Sequence, residues 1–279
     1  MTTPLKRIEL ASLTQELLQP AATTTQFSRD DLQHLATRLG NATSQSGELL
    51  RIDSWTLRSG LDTVQGAFAW TPQFTKRSLG LAALRLLVFG VAATPSEAVG
   101  IEVDRLVRLG RDQPPFSNSL ATYLASSSGA IRSAAMAHAI TYATEVFCAL
   151  DWKRFERHPI IGGPDAISLL RSQGLALRGR AELVVDIDGA TAGDLAESRL
   201  VVMHGSIADD TTLLLGSAAL AATLSSSDRR APARIVAYFP TSGQAAVLDI
   251  TENILNRVAL GIAKRVANCR YVAPQTQAA

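Results

Sequence analysis

Apolar and polar positions along this chain follow two rhythms, one of helical period and one of short strand-like runs. Residues 28–40, SRDDLQHLATRLG, have helical spacing, with Ser28 placed to cap, acids in the first turn and Gly40 at the end. A shorter helical pattern precedes them, and LLRIDSWTL at 49–57 alternates as a strand does. From Thr75 to Leu109 the pattern predicts two helices split at Thr94-Pro95. TPSEAV starts the second: Thr94 can cap, Pro95 takes the first helical position and Glu97 stands three residues after the cap. LGRDQPPFSNS at 109–119 then breaks the chain. A long helix is expected from about Ala130 to Phe155, with Ile131, Ala134, Ala135, His138, Tyr142, Val146 and Leu150 close to one stripe.

The second half changes rhythm. HPIIGGPDA at 158–166 reads as a strand edge and turn. In the stretch 177–210, two apolar runs, LVVDI and RLVVM, flank a polar loop, which predicts a hairpin with strands over 177–187 and 199–206. Continuous apolar runs place both strands inside a sheet rather than at a solvated edge. A helix over 210–224, a loop over 225–232, a strand over 234–240, a tight turn TSGQ, a strand over 245–250 and a helix over 251–268 follow. That order predicts an α/β fold, with α+β left open: a central mixed sheet flanked by helices, beside a mostly helical N-terminal lobe. The boundaries drawn from it are 1–115 for the lobe, 116–272 for the α/β core and 273–279 for a disordered tail.

Composition narrows the classes. With 47% hydrophobic and 19% charged residues over 279 positions, the chain has the make-up of a globular protein with a sizeable core. Aromatics are 5%, so Ala, Leu and Val fill most of that core. A net charge of +2 neither demands a nucleic-acid partner nor excludes a local basic groove. Lysine occurs only at Lys6, Lys76, Lys153 and Lys264, so the remaining basic residues are arginine. Cys148 and Cys269 are far apart with no CxxC, which argues against zinc and a disulfide framework and for a reducing cytoplasm. MTTPLKRIEL lacks a signal-peptide core, and LGLAALRLLVFGVAA at 79–93 is too short to span a bilayer and contains Arg85, so it reads as a buried helix and no membrane partner is expected. There is no GxxxxGK[ST], HExxH or GxSxG string, and no dinucleotide fingerprint.

One set of local strings points further. LRGRAELVV at 177–185 resembles the LxGRxDLV segment of the RecB-like branch of the PD-(D/E)XK nuclease superfamily, with Glu182 in place of the first metal-binding aspartate. His138, in AAMAHAITYA, stands where that family carries a histidine or glutamate on a leading helix. RLVVMHGS at 199–206 takes the place of the strand ending in DxK, LLLGSAALAA at 213–222 that of the QxxxY helix, and RIVAYFPTSGQ that of the return strand. The motif-bearing likeness runs from about residue 130 to the end; over 60–110 it is only a general helical one. What it implies is a helix, three strands, a helix and a further strand around a nucleic-acid groove.

The departures shape the functional expectation. Metal-dependent phosphodiester cleavage needs clustered carboxylates for a hard cation, a metal-bound water and a cation near the phosphate. The expected acid and lysine positions fall among Val202, Met203, His204 and Gly205, and the helix lacks both Gln and Tyr. The resemblance therefore implies a non-catalytic, nuclease-like protein, in DNA repair or a related process, that binds DNA or a helicase- or nuclease-type partner without a cofactor. Two alternatives stay open. One is an active Mg- or Mn-dependent deoxyribonuclease whose rearranged site uses Glu182 and Asp186, with Lys264 or Asp209 and Asp210 rebuilding the rest. The other is a protein-interaction scaffold without nucleic-acid contact.

Each candidate also has a plainer reading. His138 and His204 read as structural histidines or as relics of a site. By strand parity Arg178, Arg180 and Glu182 share a face, which suits a local ion pair or a residual phosphate or metal site. Arg229, Arg230 and Arg234 around the later strand read as a solvated loop or as phosphate contacts. Lys76 and Arg77 read as a solvated first turn or as a phosphate contact near a helix N-terminus.

Overall fold

The computed structural model describes residues 5–20, 28–40, 50–52, 57, 70–112, 119–162, 166–170, 175–188, 195–226 and 230–272. In chain order these form β1 (Lys6–Ile8), α1 (Leu13–Leu18), α2 (Arg29–Gly40), β2 (Leu50–Ile52), α3 (Pro72–Val88), α4 (Pro95–Arg111), α5 (Leu120–Ser126), α6 (Gly129–Ala149), β3 (Ile160–Ile161), β4 (Ala166–Leu170), β5 (Leu175–Gly179), β6 (Leu183–Asp188), β7 (Leu195–Val202), α7 (Thr211–Ser225), β8 (Arg234–Phe239), β9 (Gln244–Asp249) and α8 (Glu252–Val272). Two compact units result, residues 1–66 with 163–279, and residues 67–162. The α/β class and the mixed sheet flanked by helices are as the sequence pattern predicts. Among the described residues no helix is long and apolar enough to cross a membrane.

The units divide the chain elsewhere than at residue 115. Gly110 explains why: a Cβ there would lie 2.1 Å from the Ala121 carbonyl oxygen, so α4 and α5 press backbone to backbone across the loop expected to part them. Of the expected loop at 109–119, residues 109–111 are the last of α4 and Ser119 caps α5; residues 113–118 lie outside the described ones, as does the expected disordered tail at 273–279.

In the unit of residues 67–162, four helices share a core of Leu79, Ala83, Val99, Val103, Leu124, Ala135 and Ala139. The capping pattern read at 94–97 forms, with Thr94 Oγ1 accepting from the Glu97 amide at 3.2 Å. The Glu97 carboxylate reaches back one residue farther than the usual capping box, accepting from the Ala93 amide at 2.8 Å. On α6 the buried stripe is Ala135, Ala139, Tyr142, Ala143 and Val146. Ile131 and His138 lie outside it and are exposed. The helix also ends at Ala149, before the expected Phe155, because Asp151 caps a separate short turn through the Lys153 amide.

The other unit carries two sheets. Strands β1, β9, β8, β7 and β6 lie in that order in the larger one; β6 is antiparallel to β7, β7 parallel to β8, and β8 antiparallel to β9. The smaller sheet has the order β2-β5-β4. Helix α7 is the hub. It packs on β4 and β5 on one side, on β8 and β9 on the other, and along α8. TTLLLGSAALAATLS is apolar all round because it is buried all round. Two of its buried hydroxyls are satisfied within the helix, Ser217 donating to the Leu214 carbonyl and Thr223 to that of Ala219. The parallel β7–β8 pair requires a crossover, which α7 supplies.

The hairpin departs from its predicted strands. The run 177–187 is two strands in two sheets. Leu175–Gly179 pairs with β2 and β4, the chain crosses at Arg180–Glu182, and Leu183 begins the strand that pairs with β7. The second strand is displaced towards the N-terminus, spanning 195–202 instead of 199–206. Its inward placement holds, since β7 lies between β6 and β8 with Leu200 and Val201 buried.

Candidate nucleic-acid interface

Register fixes which hairpin residues face one another. Asp186 stands directly opposite Glu197, and Val184 opposite Arg199. Alternation along each strand puts Asp186, Glu197 and Arg199 on one face. A strand expected to begin at Arg199 leaves Glu197 outside it, so the Glu197–Arg199 pair is not visible in that pattern. The signal was present as an acid and an arginine two residues apart, ESR at 197–199, in the segment following Asp186.

Like charges directly opposite in an antiparallel pair repel. The protein relieves this through Arg199, whose Nε and Nη2 donate to Glu197 Oε1 at 3.1 and 2.6 Å. Asp186 is exposed. Glu182 is spent differently. At 4% exposure its Oε2 accepts the Val202 amide at 2.9 Å, while its own amide donates to the Leu200 carbonyl at 2.9 Å. Its carboxylate thus stands in for a ladder acceptor where β6 begins.

The positions 202–205 finish the strand and turn away. Met203 still donates its amide to the Tyr238 carbonyl at 2.8 Å, His204 is exposed, and Gly205 takes a positive φ of 130°. Asp209 is exposed, and Asp210 lies at the start of α7 with Oδ2 3.5 Å from Arg265 Nη2. Lys264 is exposed on α8. Among the described residues no group of three or more His, Cys, Asp or Glu side chains is gathered as a metal-holding cluster.

The expected basic set disperses. Arg178 sits on β5 opposite Ile167 and Arg180 in the crossing between sheets, so they do not share one strand face with Glu182. Strand parity does not carry across the break between β5 and β6. Arg178, Arg180 and Arg230 are all partly exposed, and Arg229 lies outside the described residues. Arg234 is corrected outright. It is buried, with Nε donating to Asp249 Oδ1 at 2.7 Å and Nη1 to the Glu16 and Gln19 carbonyls at 2.9 and 3.3 Å. A guanidinium so engaged is a structural anchor.

His138, Lys76 and Arg77 belong to the unit of residues 67–162, with Lys76 and Arg77 in the first turns of α3. Thr71 caps that helix by accepting from the Phe74 amide. Burial pushes the Lys76 amine below its usual value, opposed by the charge of Glu145 on α6. Burial likewise pushes the Glu145 carboxylate up, opposed by Lys76, and Glu145 Oε2 is buried without a hydrogen-bond partner. Comparison with protein-family models, with curated proteins and with solved structures found no match.

Proposed function

We propose that the unit of residues 1–66 and 163–279 is a nuclease-like module that holds DNA phosphates and does not cleave them, in the cytoplasm and without a cofactor. The observation that carries this reading is the fate of the hairpin carboxylates. Glu182 is committed to the Val202 amide and Glu197 to Arg199. A hard divalent cation needs several oxygen ligands at once, and these two acids are held by other donors. Arg199 is bonded to Glu197, and a guanidinium stays protonated and cannot serve as a base. The antiparallel β6–β7 hairpin, the α7 crossover and the parallel β8 support this reading in part, while β5 lies in the other sheet and the His138 helix in the other unit. Arg178, Arg180 and Arg230 supply partly exposed cations in the same unit. Phosphate contacts of this kind position a duplex and carry no sequence readout.

The test is incubation of the full chain with single- and double-stranded DNA in Mg²⁺ or Mn²⁺. Intact substrate that migrates as a complex is the expected result. A second reading, metal-dependent cleavage, draws on Asp186 standing opposite Glu197 with Arg199 beside them. Mn²⁺-dependent cleavage lost in both Asp186→Asn and Glu197→Gln would establish that reading and displace the first.

A further inference from the structure

We infer that β1 and α1 form a strap that docks and undocks as one piece on the apolar face of the larger sheet, with Arg234 as its latch. The inference is independent of the proposed function. Neither element of the strap is stable by itself. β1 has three residues, α1 has six, and Ser12 gives α1 no side-chain cap. A helix that short is not stable alone.

What orders it is its seat. α1 packs on β6, β7 and β8, and Leu13 and Leu17 are fully buried. Alternation puts Leu183 and Val185 of β6, Leu200 of β7, and Val236 of β8 on the same face as Arg234. The opposite face, with Val201, Ile235, Ala237, Ala246 and Leu248, shares its core with α7 and α8. The last carbonyls of a helix have no partner within it. Arg234 supplies donors to two carbonyls at the C-terminal end of α1, those of Glu16 and Gln19, and is itself braced by Asp249. A cation at that end also suits the helix dipole. Lys6 bonds the Glu16 carboxylate, so β1 is tied to α1 and the two leave together.

Release has a defined consequence. It bares the Leu183–Leu200–Val236 face and the edge of β9 at Ala245–Val247, where β1 pairs.

Hydrogen exchange on the full chain at neutral pH tests this. Amides of residues 6–18 are expected to exchange as one group, at least about tenfold faster than those of 235–238, as a separately opening segment does. Arg234→Met should accelerate the strap further and leave 198–202 and 235–238 unchanged. Arg234→Lys, which keeps the charge but loses the fork, should fall between. A common exchange rate for strap and sheet in the parent protein overturns the inference, and so does equal acceleration of both in Arg234→Met. If Arg234→Met does not fold, the rate ratio in the parent protein decides alone.

Discussion

The Glu182 carboxylate closes a backbone ladder by accepting the Val202 amide. The acceptor there matters more than the charge. Glu182→Ala leaves the part-buried Val202 amide without its acceptor and should cost about 1–3 kcal/mol in denaturant unfolding. Glu182→Gln keeps an oxygen there and should cost clearly less; equal costs would show that the charge was the point. The Lys76–Glu145 pair gives a second prediction at this scale. Glu145 has a carboxyl raised by burial above its ordinary 4.5, so its protonated form favours the fold. Its contribution is fully present below 4.5 and is lost as pH rises through the raised value. Lys76 is lowered from 10.5, so its contribution is present above 10.5 and lost as pH falls through the lowered value. Thermal melts of the parent and Glu145→Gln across the acid range should therefore converge at low pH and separate as pH rises, the parent becoming the less stable. A constant gap between them would show that Glu145 does not titrate differently in the folded state.

Element boundaries depend on close approaches as much as on propensity. Gly179 ends β5 because a Cβ there would lie 2.6 Å from the Ala218 carbonyl of α7. Gly179→Ala should force β5 off α7 and cost about 1–3 kcal/mol. Gly100 has open space around its would-be Cβ in the middle of α4, so Gly100→Ala should stabilise by about 0.5–1 kcal/mol. Thermal unfolding checks both, and a neutral Gly179→Ala would mean that the contact yields. The same contrast marks what was legible in the sequence. Caps at Ser28 and Thr94 and the β8–turn–β9 sequence are local, and they were readable because local hydrogen bonds and turn residues specify them. The break at 180–182 was hidden because it follows from packing of distant α7 on β5, and LRGRAELVV alternates smoothly across it. Once the break was missed, the shared face of Arg178, Arg180 and Glu182 was misjudged, and the late start given to β7 concealed Glu197.

At the scale of the whole molecule, the chain builds an α/β unit around one buried helix from its two ends, and a helical unit from its middle. Among the described residues Arg234 is held as an anchor, Arg199 by Glu197 and Arg265 by Asp210 and the Leu57 carbonyl. The cations proposed for phosphate are Arg178, Arg180 and Arg230, so DNA binding should be weak, non-specific and governed by salt. The most direct measurement is the affinity of the full chain for a short duplex across a salt series, with and without Arg178→Ala and Arg180→Ala together. The account predicts log K falling by about 0.7–0.9 per phosphate contact for each unit of log salt, with a weaker and shallower line in the double variant. No detectable binding at low salt would contradict it, and the module would then be a scaffold for protein partners.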